Sequence, residues 1–274
     1  MGQHGNHLFR CDTAAGERLA LRVCLPGGRS DAELDAELAW LAALSRETGL
    51  TVPVARFSTR VSTPQLPDGG RCIGFGWVEG RPCRRRPSRR LVADLGRVIG
   101  TLHGHAQGFR PSPGFTRPVL DIGYLTWAGT WHAGQLARRR VDPEVRRVLT
   151  ETADRVQAVL IGFGQDRAGY GLIHADLDLD NVLDHHGQAR PIDFDDASWG
   201  HYALDLAIAA DSIPEALCPA LLGGYQTVRP LPAGYEEHQA ALLAARRLFL
   251  ATWHLANGLP DERHVGQLRA FTGN

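Results

Sequence analysis

Acidic side chains are concentrated in one short stretch of the chain, residues 171–207. Within about 21 positions there, between short apolar runs, lie Asp176, Asp178, Asp180, Asp193, Asp195 and Asp196. Carboxylates this close together repel one another unless a cation or a reacting group offsets their charge. Carboxylate oxygens are also the ligands that Mg²⁺ and Ca²⁺ prefer. The stretch therefore predicts a site that binds cations or positions a reacting group.

The spacing within this stretch is more specific than its composition. The segment His174–Asp176 is followed by Asn181, and Asp193–Asp195 reads D-F-D. Protein kinases use H-R-D-x-x-x-x-N for the catalytic loop and D-F-G around a metal-binding Asp. A predicted hairpin over residues 182–192 separates the two segments, so we expect the two turns to lie side by side at one cleft.

The run that begins at Asp176 also resembles the start of a calcium-binding loop. Such loops place Gly at the sixth position and Glu at the twelfth, where this chain has Asn181 and Gly187. Calcium binding of this kind is the less favoured alternative.

The chain resembles the aminoglycoside phosphotransferase and choline-kinase superfamily, the small-molecule branch of the protein-kinase-like fold. Within it, the homoserine-kinase-like and stress-response Ser/Thr kinase-like branch is most similar. The block HADLDLDNVL, His174–Leu183, carries most of the resemblance. Weaker matches extend it over nearly the whole chain: Ala20–Val23, Ala36–Leu44, Gly49–Ala55, Gly76–Arg81, Pro191–Ala207 and Arg246–Asn257.

This resemblance implies a phosphoryl-transfer site that uses ATP and Mg²⁺. Asp176 would be the catalytic residue that orients and deprotonates the acceptor hydroxyl. Asn181 and Asp193 would hold the Mg²⁺ ions that bridge the ATP phosphates. Asp195 would be a further metal ligand or a hydrogen-bonding neighbour of the ligands. Asp178 departs from the family pattern, because relatives usually have His there, and it adds a third carboxylate near the metals.

Two more residues are implied to support the catalytic loop. His174 would lock the loop in place, and Asp205 would brace it without touching substrate. Asp205 is also a good helix N-cap residue in its own right.

The nucleotide side of the site is implied to lie in the first part of the chain. Arg22 stands where relatives have the strand lysine that reaches the α- and β-phosphates, and Glu37 would pair with it. Trp77, Val78 and Glu79 would form the hinge whose backbone meets the adenine. All thirty basic residues are Arg, so Arg22 has no lysine substitute, although a guanidinium can bind phosphate bidentately. Arg22 and Glu37 could instead be ordinary surface residues.

Apolar periodicity and capping signals indicate the elements that must position these residues. Residues 17–24 and 71–78 are predicted strands, and Ser30 with Glu33 forms a capping box that begins a helix at Asp31. Further elements are predicted as helices over 91–105, from 143 onwards and over 235–257, and as strands over 171–174, 182–184 and 190–194. Residues 2–9 should open the chain directly, without the strand that relatives place before the phosphate-covering loop.

The predicted fold class is α+β, a bilobal protein-kinase-like fold. Residues 1–80 would form a small N-lobe, made of a sheet and one helix, that covers the nucleotide. Residues 81–274 would form a larger, mainly helical C-lobe with the catalytic loop and the acceptor site. Trp127, Trp131, Trp253 and His254 could line the acceptor pocket, although core packing is the more common role of such residues.

Composition narrows the partners that the protein can have. Thirty basic and thirty acidic residues give a formal net charge of +0, which argues against a nucleic-acid binder. Five widely spaced cysteines without a C-x-x-C pair are typical of reduced thiols in a cytoplasmic protein. No apolar run approaches about 18 residues, so no membrane span is predicted.

The sequence therefore predicts an ATP-dependent kinase with an alcohol group as acceptor. The acceptor would be a small molecule of amino-sugar, homoserine or choline type, or a protein Ser/Thr side chain. The alternative is a catalytically weak nucleotide-binding regulator, a pseudokinase.

Overall fold

The computed structural model describes residues 6–25, 28–63, 66–83, 86–126 and 131–273. The strands in these ranges are β1 (His7–Asp12), β2 (Arg18–Cys24), β3 (Ala55–Thr63), β4 (Leu66–Gly76), β5 (Arg81–Pro82), β6 (Tyr170–Ile173), β7 (Val182–His185), β8 (Gln188–Pro191) and β9 (Ser198–His201). The helices are α1 (Asp31–Glu47), α2 (Arg89–Gly108), α3 (Ile122–Leu125), α4 (Trp131–Arg138), α5 (Pro143–Phe163), α6 (Tyr202–Asp211), α7 (Cys218–Gln226), α8 (Tyr235–Ala256) and α9 (Glu262–Thr272).

The first lobe is a four-stranded antiparallel sheet, in the order β1-β2-β4-β3, together with α1. The predicted capping box is present, because the Ser30 side chain accepts from Glu33 N–H and the Glu33 side chain accepts from Ser30 N–H. The helix therefore begins at Asp31 as predicted. It buries Leu34, Trp40 and Leu41 against the rest of the core.

The N-terminal segment differs from the prediction. Residues His7–Asp12 form β1, whereas the sequence predicted a loop over residues 2–9; positions 2–5 lie outside the described residues. β1 pairs with β2 from His7 opposite Val23 to Asp12 opposite Arg18. The strand was missed because its side chains are mostly exposed and lack apolar alternation. Its pairing uses backbone groups, which a side-chain pattern does not reveal.

The second lobe is mainly helical and contains two small sheets, β5-β7-β8 and β6-β9. The α+β, two-lobed fold class predicted from the sequence is confirmed; the boundary at residue 80 stays a prediction. The strand predicted over 190–194 was placed too far along the chain, because β8 ends at Pro191 and a 3₁₀ turn follows at Phe194–Asp196. None of the helices among the described residues is long and apolar enough to cross a membrane.

Two glycines let α2 and α7 pack in close contact. A Cβ added at Gly96 would lie 1.9 Å from the Leu221 carbonyl oxygen, and one at Gly224 would lie 1.8 Å from the Ala93 carbonyl oxygen. Only a residue without a side chain allows the two backbones to approach this closely. The contact holds α2 behind the strands that carry the acidic loops.

Candidate active site

Two turns with unusual backbone conformations carry the acidic residues. Ala175, which follows β6, has φ 68°, and Asp193, which follows β8, has φ 61°. Left-handed conformations cost free energy in residues other than Gly, and they are concentrated at functional sites where the surroundings enforce them. The two turns are tied together, because the Nε2–H of His174 donates to the carbonyl oxygen of Ile192 at 3.0 Å.

Asn181 holds Asp176 within the first turn. Its Nδ2 donates to the backbone oxygen of Asp176 at 2.8 Å and to its carboxylate Oδ2 at 2.9 Å. With the amide nitrogen engaged in this way, the Oδ1 of Asn181 faces away from Asp176 and can accept a cation. The calcium-loop alternative is wrong, because the residues after Asn181 form β7 and a tight hairpin to β8.

A guanidinium from α8 lies directly against the predicted catalytic carboxylate. The Nη2 of Arg246 is 2.5 Å from Oδ1 of Asp176 and 3.5 Å from Oδ2 of Asp178. Burial raises the pKa of Asp176 to about 6, since it outweighs the opposing effect of Arg246, and Asp196 and Asp178 add to the rise. The carboxylate of Asp178 also accepts from Asp180 N–H at 2.9 Å. Arg246 thus offsets the extra carboxylate at Asp178.

The second turn supplies two more carboxylates, Asp193 and Asp195. The Oδ1 of Asp195 is buried and, among the described residues, has no hydrogen-bond partner, although Nη1 of Arg22 approaches it to 3.7 Å. A buried carboxylate oxygen without a donor is costly unless a cation faces it. Together with Asn181, these residues offer the hard oxygen ligands that Mg²⁺ prefers. The residues present therefore fit a divalent cation.

Asp205 braces the first turn from inside the lobe. It is fully buried, and it accepts from His174 N–H at 3.2 Å and from Ala175 N–H at 2.8 Å. It is not a helix N-cap, because α6 begins at Tyr202 and His201 holds the capping position. The bonds to two successive amides hold Ala175 in its left-handed conformation.

A buried hydrogen-bonded network connects Asp205 to side chains of α2 and α7. His103 is 3.1 Å from Asp205 through Nε2 and 3.0 Å from the hydroxyl of Tyr225 through Nδ1. Burial lowers the pKa of His103 despite Asp205, so the ring is neutral at pH 7 and carries its proton on Nε2 toward the carboxylate. Tyr225 then donates to Nδ1. Sequence analysis did not identify His103, which looks like one more position on the apolar face of α2.

Phe194 links the two turns to the first lobe. Its ring packs against His174 with centroids 4.5 Å apart and against Trp40 of α1 at 5.7 Å. Arg117 adds polar contacts, donating to the carbonyl oxygens of Ala197 (2.5 Å), Asp195 and, in α1, Glu33 (3.0 Å). The position of α1 is therefore coupled to the second acidic turn.

Arg22 and Glu37 form a bidentate ion pair between β2 and α1. The two nitrogen–oxygen distances are 3.0 and 2.6 Å, and the residues are only 3% and 1% exposed. The surface-residue alternative is thus wrong for both. Although burial lowers the pKa of Arg22, Glu37 and Asp195 raise it above its ordinary value overall. The charged guanidinium lies between the helix and the acidic turn.

Trp77, Val78 and Glu79 form an extended link from β4 to β5. Trp77 N–H donates to the Arg18 carbonyl oxygen at 3.3 Å, and the Arg18 guanidinium lies over the Trp77 ring and pairs with Glu79. Arg190, from β8, donates to the Glu79 carbonyl oxygen at 2.9 Å. The link is thus held by both lobes.

On the other side of Asp176, an aromatic pair borders a pocket. Tyr124 stacks on Phe249 with centroids 5.7 Å apart and ring planes 1° apart, and Asp196 pairs with Arg29 at 2.6 Å. Arg246 lines the same pocket. Of the four aromatic candidates named above, Trp253 and His254 contact each other at 5.3 Å. Trp127 and the side chain of Trp131 lie outside the described residues.

Comparisons with known proteins find related sequences and related folds. The family model described as "Phosphotransferase enzyme family" matches residues 2–260. The homoserine kinase of Acidiphilium cryptum (strain JF-5) is 31% identical over 197 residues, which are 66% of this chain and 57% of that protein. Matches to curated relatives span between 27% and 57% of the relatives' own lengths.

Solved structures share the fold over nearly the whole chain. The microcompartment-associated aminopropanol kinase superposes with a TM-score of 0.76 at 25% identity, covering 98% of this chain and 90% of that one. The amicoumacin kinase hAmiN, in complex with AMP-PNP, Ca²⁺ and Ami, gives 0.80 at 18% identity, covering 100% and 86%. The predicted resemblance is confirmed by these matches. Because the family model extends from residue 2 to residue 260, the chain belongs to the phosphotransferase enzyme family.

Proposed function

We propose that this protein is an ATP- and Mg²⁺-dependent kinase that transfers the γ-phosphoryl group to a hydroxyl of a small molecule. The observation that carries the proposal is the placement of Asp176. Asn181 and Arg246 hold its carboxylate, and the bond from His174 to Ile192 joins its loop to the loop of Asp193 and Asp195. A cytoplasmic location, predicted from the cysteine pattern, belongs to the same proposal.

Asp176 orients the acceptor hydroxyl and accepts its proton. A pKa of about 6 leaves the carboxylate ionised at pH 7 while keeping it a better base than an ordinary Asp. Phosphoryl transfer requires little covalent chemistry from the protein, so most of the catalysis comes from positioning the reactants and from electrostatic stabilisation. Arg246 keeps the Asp176 carboxylate in one orientation.

Asn181, Asp193 and Asp195 would hold the cation, which neutralises phosphate charge when bound. Arg22 is oriented by Glu37 and faces Asp195, so it lies where a phosphate oxygen beside the cation would accept its bonds. The backbone of Trp77–Glu79 contacts the adenine of ATP. The hAmiN complex with AMP-PNP and Ca²⁺ supports a nucleotide bound together with a divalent cation.

The acceptor is a small molecule and not a protein side chain. The pocket beside Asp176 is bordered by Tyr124, Phe249 and Arg246, and apolar side chains such as Leu120 and Ile208 also line it. Small-molecule sites are mostly apolar, with a few polar groups that fix the orientation of the ligand. The names of the matched kinases, which act on homoserine, aminopropanol and amicoumacin, support the same class of acceptor.

Thermal unfolding with and without Mg²⁺·ATP tests the nucleotide site, and Asp176→Asn tests the chemistry. A ligand at about 100 times its Kd adds roughly 2.7 kcal/mol of stability. We expect an Mg²⁺-dependent shift in both proteins, with acceptor-dependent ADP release reduced about 10²- to 10⁴-fold in the variant. A missing shift at millimolar nucleotide, or undiminished turnover in Asp176→Asn, would contradict the proposal. Turnover absent from the wild type with every hydroxyl acceptor screened would favour the pseudokinase alternative.

A further inference from the structure

Two histidines and an aspartate meet outside the candidate active site, where α8 ends and α9 begins. His254 lies in the last turn of α8, Asp261 is the N-cap of α9, and His264 lies in its first turn. The Nδ1 of His254 is 2.7 Å from Oδ2 of Asp261, and the Nδ1 of His264 is 2.8 Å from both carboxylate oxygens. Neither the acidic loops nor the nucleotide side of the site uses these residues.

The cluster is ordered and partly open to solvent. Asp261 is buried, with 4% of its side chain exposed, while the side chains of His254 and His264 are 29% and 12% exposed. The two imidazole rings stack with centroids 5.7 Å apart and planes 25° apart. A carboxylate can only accept, so each Nδ1 carries a hydrogen and donates it to Asp261.

Hydrogen bonds hold the loop between α8 and α9 in place. Leu259 N–H donates to the His254 carbonyl oxygen at 2.9 Å, and Gly258 N–H donates to that of Leu255 at 3.1 Å. Arg139 adds a bond from Nε to the Ala256 carbonyl oxygen at 2.9 Å. The three side chains are therefore held together before any ligand arrives, which reduces the entropy lost on binding.

We propose that His254, Asp261 and His264 form a binding site for a divalent transition-metal ion of the Zn²⁺ class. Two imidazole nitrogens, one carboxylate oxygen and a water from the open side complete a tetrahedral shell. Their ligand atoms already lie within 4.8 Å of one another. Bonds of about 2.0–2.2 Å to one ion require only small side-chain adjustments. Each Nδ1 that binds the ion gives up its hydrogen and the same ring takes up a proton on Nε2, so both imidazoles stay neutral, no net proton is released, and Asp261 stays ionised throughout.

The ligand chemistry separates this site from the acidic loops. Imidazole favours Zn²⁺, Co²⁺ and Ni²⁺, whereas Mg²⁺ prefers the all-oxygen set of Asn181, Asp193 and Asp195. A metal bound to the histidine cluster would join the end of α8 to the start of α9, and so clamp the helix that carries Arg246.

The test is titration of the full chain with Zn²⁺ by calorimetry, with millimolar Mg²⁺ present to occupy the acidic loops. We expect one Zn²⁺ per chain in the wild type. His254→Gln and His264→Gln should each weaken Zn²⁺ binding at least about 10-fold, since even residues outside a metal's ligand shell are worth about 10- to 100-fold. His238→Gln is the matched control, because His238 is also a partly exposed histidine of α8 beside a carboxylate, that of Glu237. It should keep wild-type affinity.

Two outcomes would overturn the proposal. One is equal Zn²⁺ affinity in the wild type and in the double variant His254→Gln/His264→Gln, and the other is a loss of the same size in His238→Gln. Co²⁺ added to the wild type gives a check that needs no variant. Tetrahedral Co²⁺ bound by two imidazoles, a carboxylate and a water absorbs visible light strongly, and the absence of this absorption would also reject the site. His264→Gln keeps the α9 cap, because Asp261 accepts there from the backbone N–H of His264 at 3.1 Å.

Discussion

The pKa of Asp176 depends on burial and on charged neighbours that act in opposite directions. Burial and the nearby carboxylates of Asp178 and Asp196 raise its pKa, while Arg246 lowers it. Arg246 comes from α8, 70 positions along the chain. A guanidinium that touches both Asp176 and Asp178 orients one and neutralises the other. Its removal should therefore affect the transfer step and leave the nucleotide side intact.

We predict that Arg246→Ala lowers kcat/KM for the acceptor about 10- to 100-fold, because a hydrogen bond to a charged group is worth about 1.5–3 kcal/mol. The Kd for Mg²⁺·ATP should change less than about twofold, since Arg246 does not contact the residues proposed to hold nucleotide. Steady-state kinetics and nucleotide titration measure the two effects. Arg247→Ala is the control, because Arg247 pairs with Asp211 at 2.7 Å and does not contact Asp176. An equal loss in both variants would contradict a specific role for Arg246.

The buried carboxylate of Asp205 should make the stability of the protein depend on pH. Burial alone would raise its pKa, but hydrogen bonds from His103 and the Ala175 amide, with the neighbouring histidines, lower it below its ordinary value. A depressed pKa means that the ionised group stabilises the fold above the unfolded pKa of about 3.9, and that this stability is lost as the pH falls through the folded pKa. We expect Asp205→Asn to be less stable than the wild type at pH 7. The difference in urea midpoint should shrink below about pH 4. A difference that stays constant from pH 7 to pH 3 would contradict the ionised brace.

The site residues that could be identified from the sequence are those that lie close together along the chain. The segment His174–Asn181 and the D-F-D turn at Asp193 lie in one continuous stretch, so their types and intervals are visible. Arg246 and His103 were not assigned a role, because each meets the site through folding of a distant helix. The only local sign of His103 in the sequence is a histidine within the apolar face of a predicted helix. The roles proposed for the predicted site residues remain predictions.

At the level of elements, the contact between α2 and α7 depends on residues without side chains. Gly96 and Gly224 let the two helix backbones touch, since a Cβ at either position would overlap a carbonyl oxygen. Gly ordinarily weakens a helix relative to Ala by about 0.5–1 kcal/mol. Here the helix gives up that stability for close packing. The same helix carries His103 toward Asp205, so the packing distance sets the position of the brace.

We predict opposite effects of the same substitution at two positions of α2. Gly104→Ala, where nothing lies within 4 Å of the new Cβ, should stabilise the protein by about 0.5–1 kcal/mol. Gly96→Ala should destabilise it by about 1–3 kcal/mol, because the helices must move apart. Chemical denaturation measures both changes. Stabilisation by Gly96→Ala would show that the two helices can separate without cost.

Elements with clear local signals were predicted well. The capping box at Ser30 and Glu33 placed the beginning of α1, and Pro143 after Asp142 placed that of α5. β1 was missed because an exposed edge strand carries no apolar alternation. The end of β8 was misplaced because the left-handed turn at Asp193 depends on contacts from elsewhere in the fold.

For the molecule as a whole, Arg117 connects the two lobes at the candidate site. Its guanidinium binds the carbonyl oxygen of Glu33 in α1 and those of Asp195 and Ala197 in the second acidic turn. The same helix supplies Glu37 to Arg22. One buried side chain thus joins α1 to the second acidic turn.

We predict that Arg117→Met destabilises the protein by about 3 kcal/mol or more, because four carbonyl oxygens, those of Glu33, Phe194, Asp195 and Ala197, lose a charged donor. The affinity for Mg²⁺·ATP should fall with it, since α1 and the acidic turn lose their shared anchor. Arg155→Met is the control: Arg155 also donates to two carbonyl oxygens, of Phe271 and Thr272, but its side chain is 47% exposed. That change should cost less than about 1 kcal/mol. Unaltered nucleotide affinity in Arg117→Met would contradict the coupling of the lobes.

The glycine contact between α2 and α7 also bears on how the chain reaches its fold. His103 of α2 and Tyr225 of α7, which share a hydrogen bond, are 122 positions apart. Contacts between such distant segments form slowly, because a long loop must close before they contribute any stability. During synthesis the first sheet and α1 can assemble from neighbouring segments, whereas α2 keeps part of its apolar face uncovered until residues beyond Gln226 have been made. The second lobe is therefore the part of the nascent chain that needs protection from aggregation for longest.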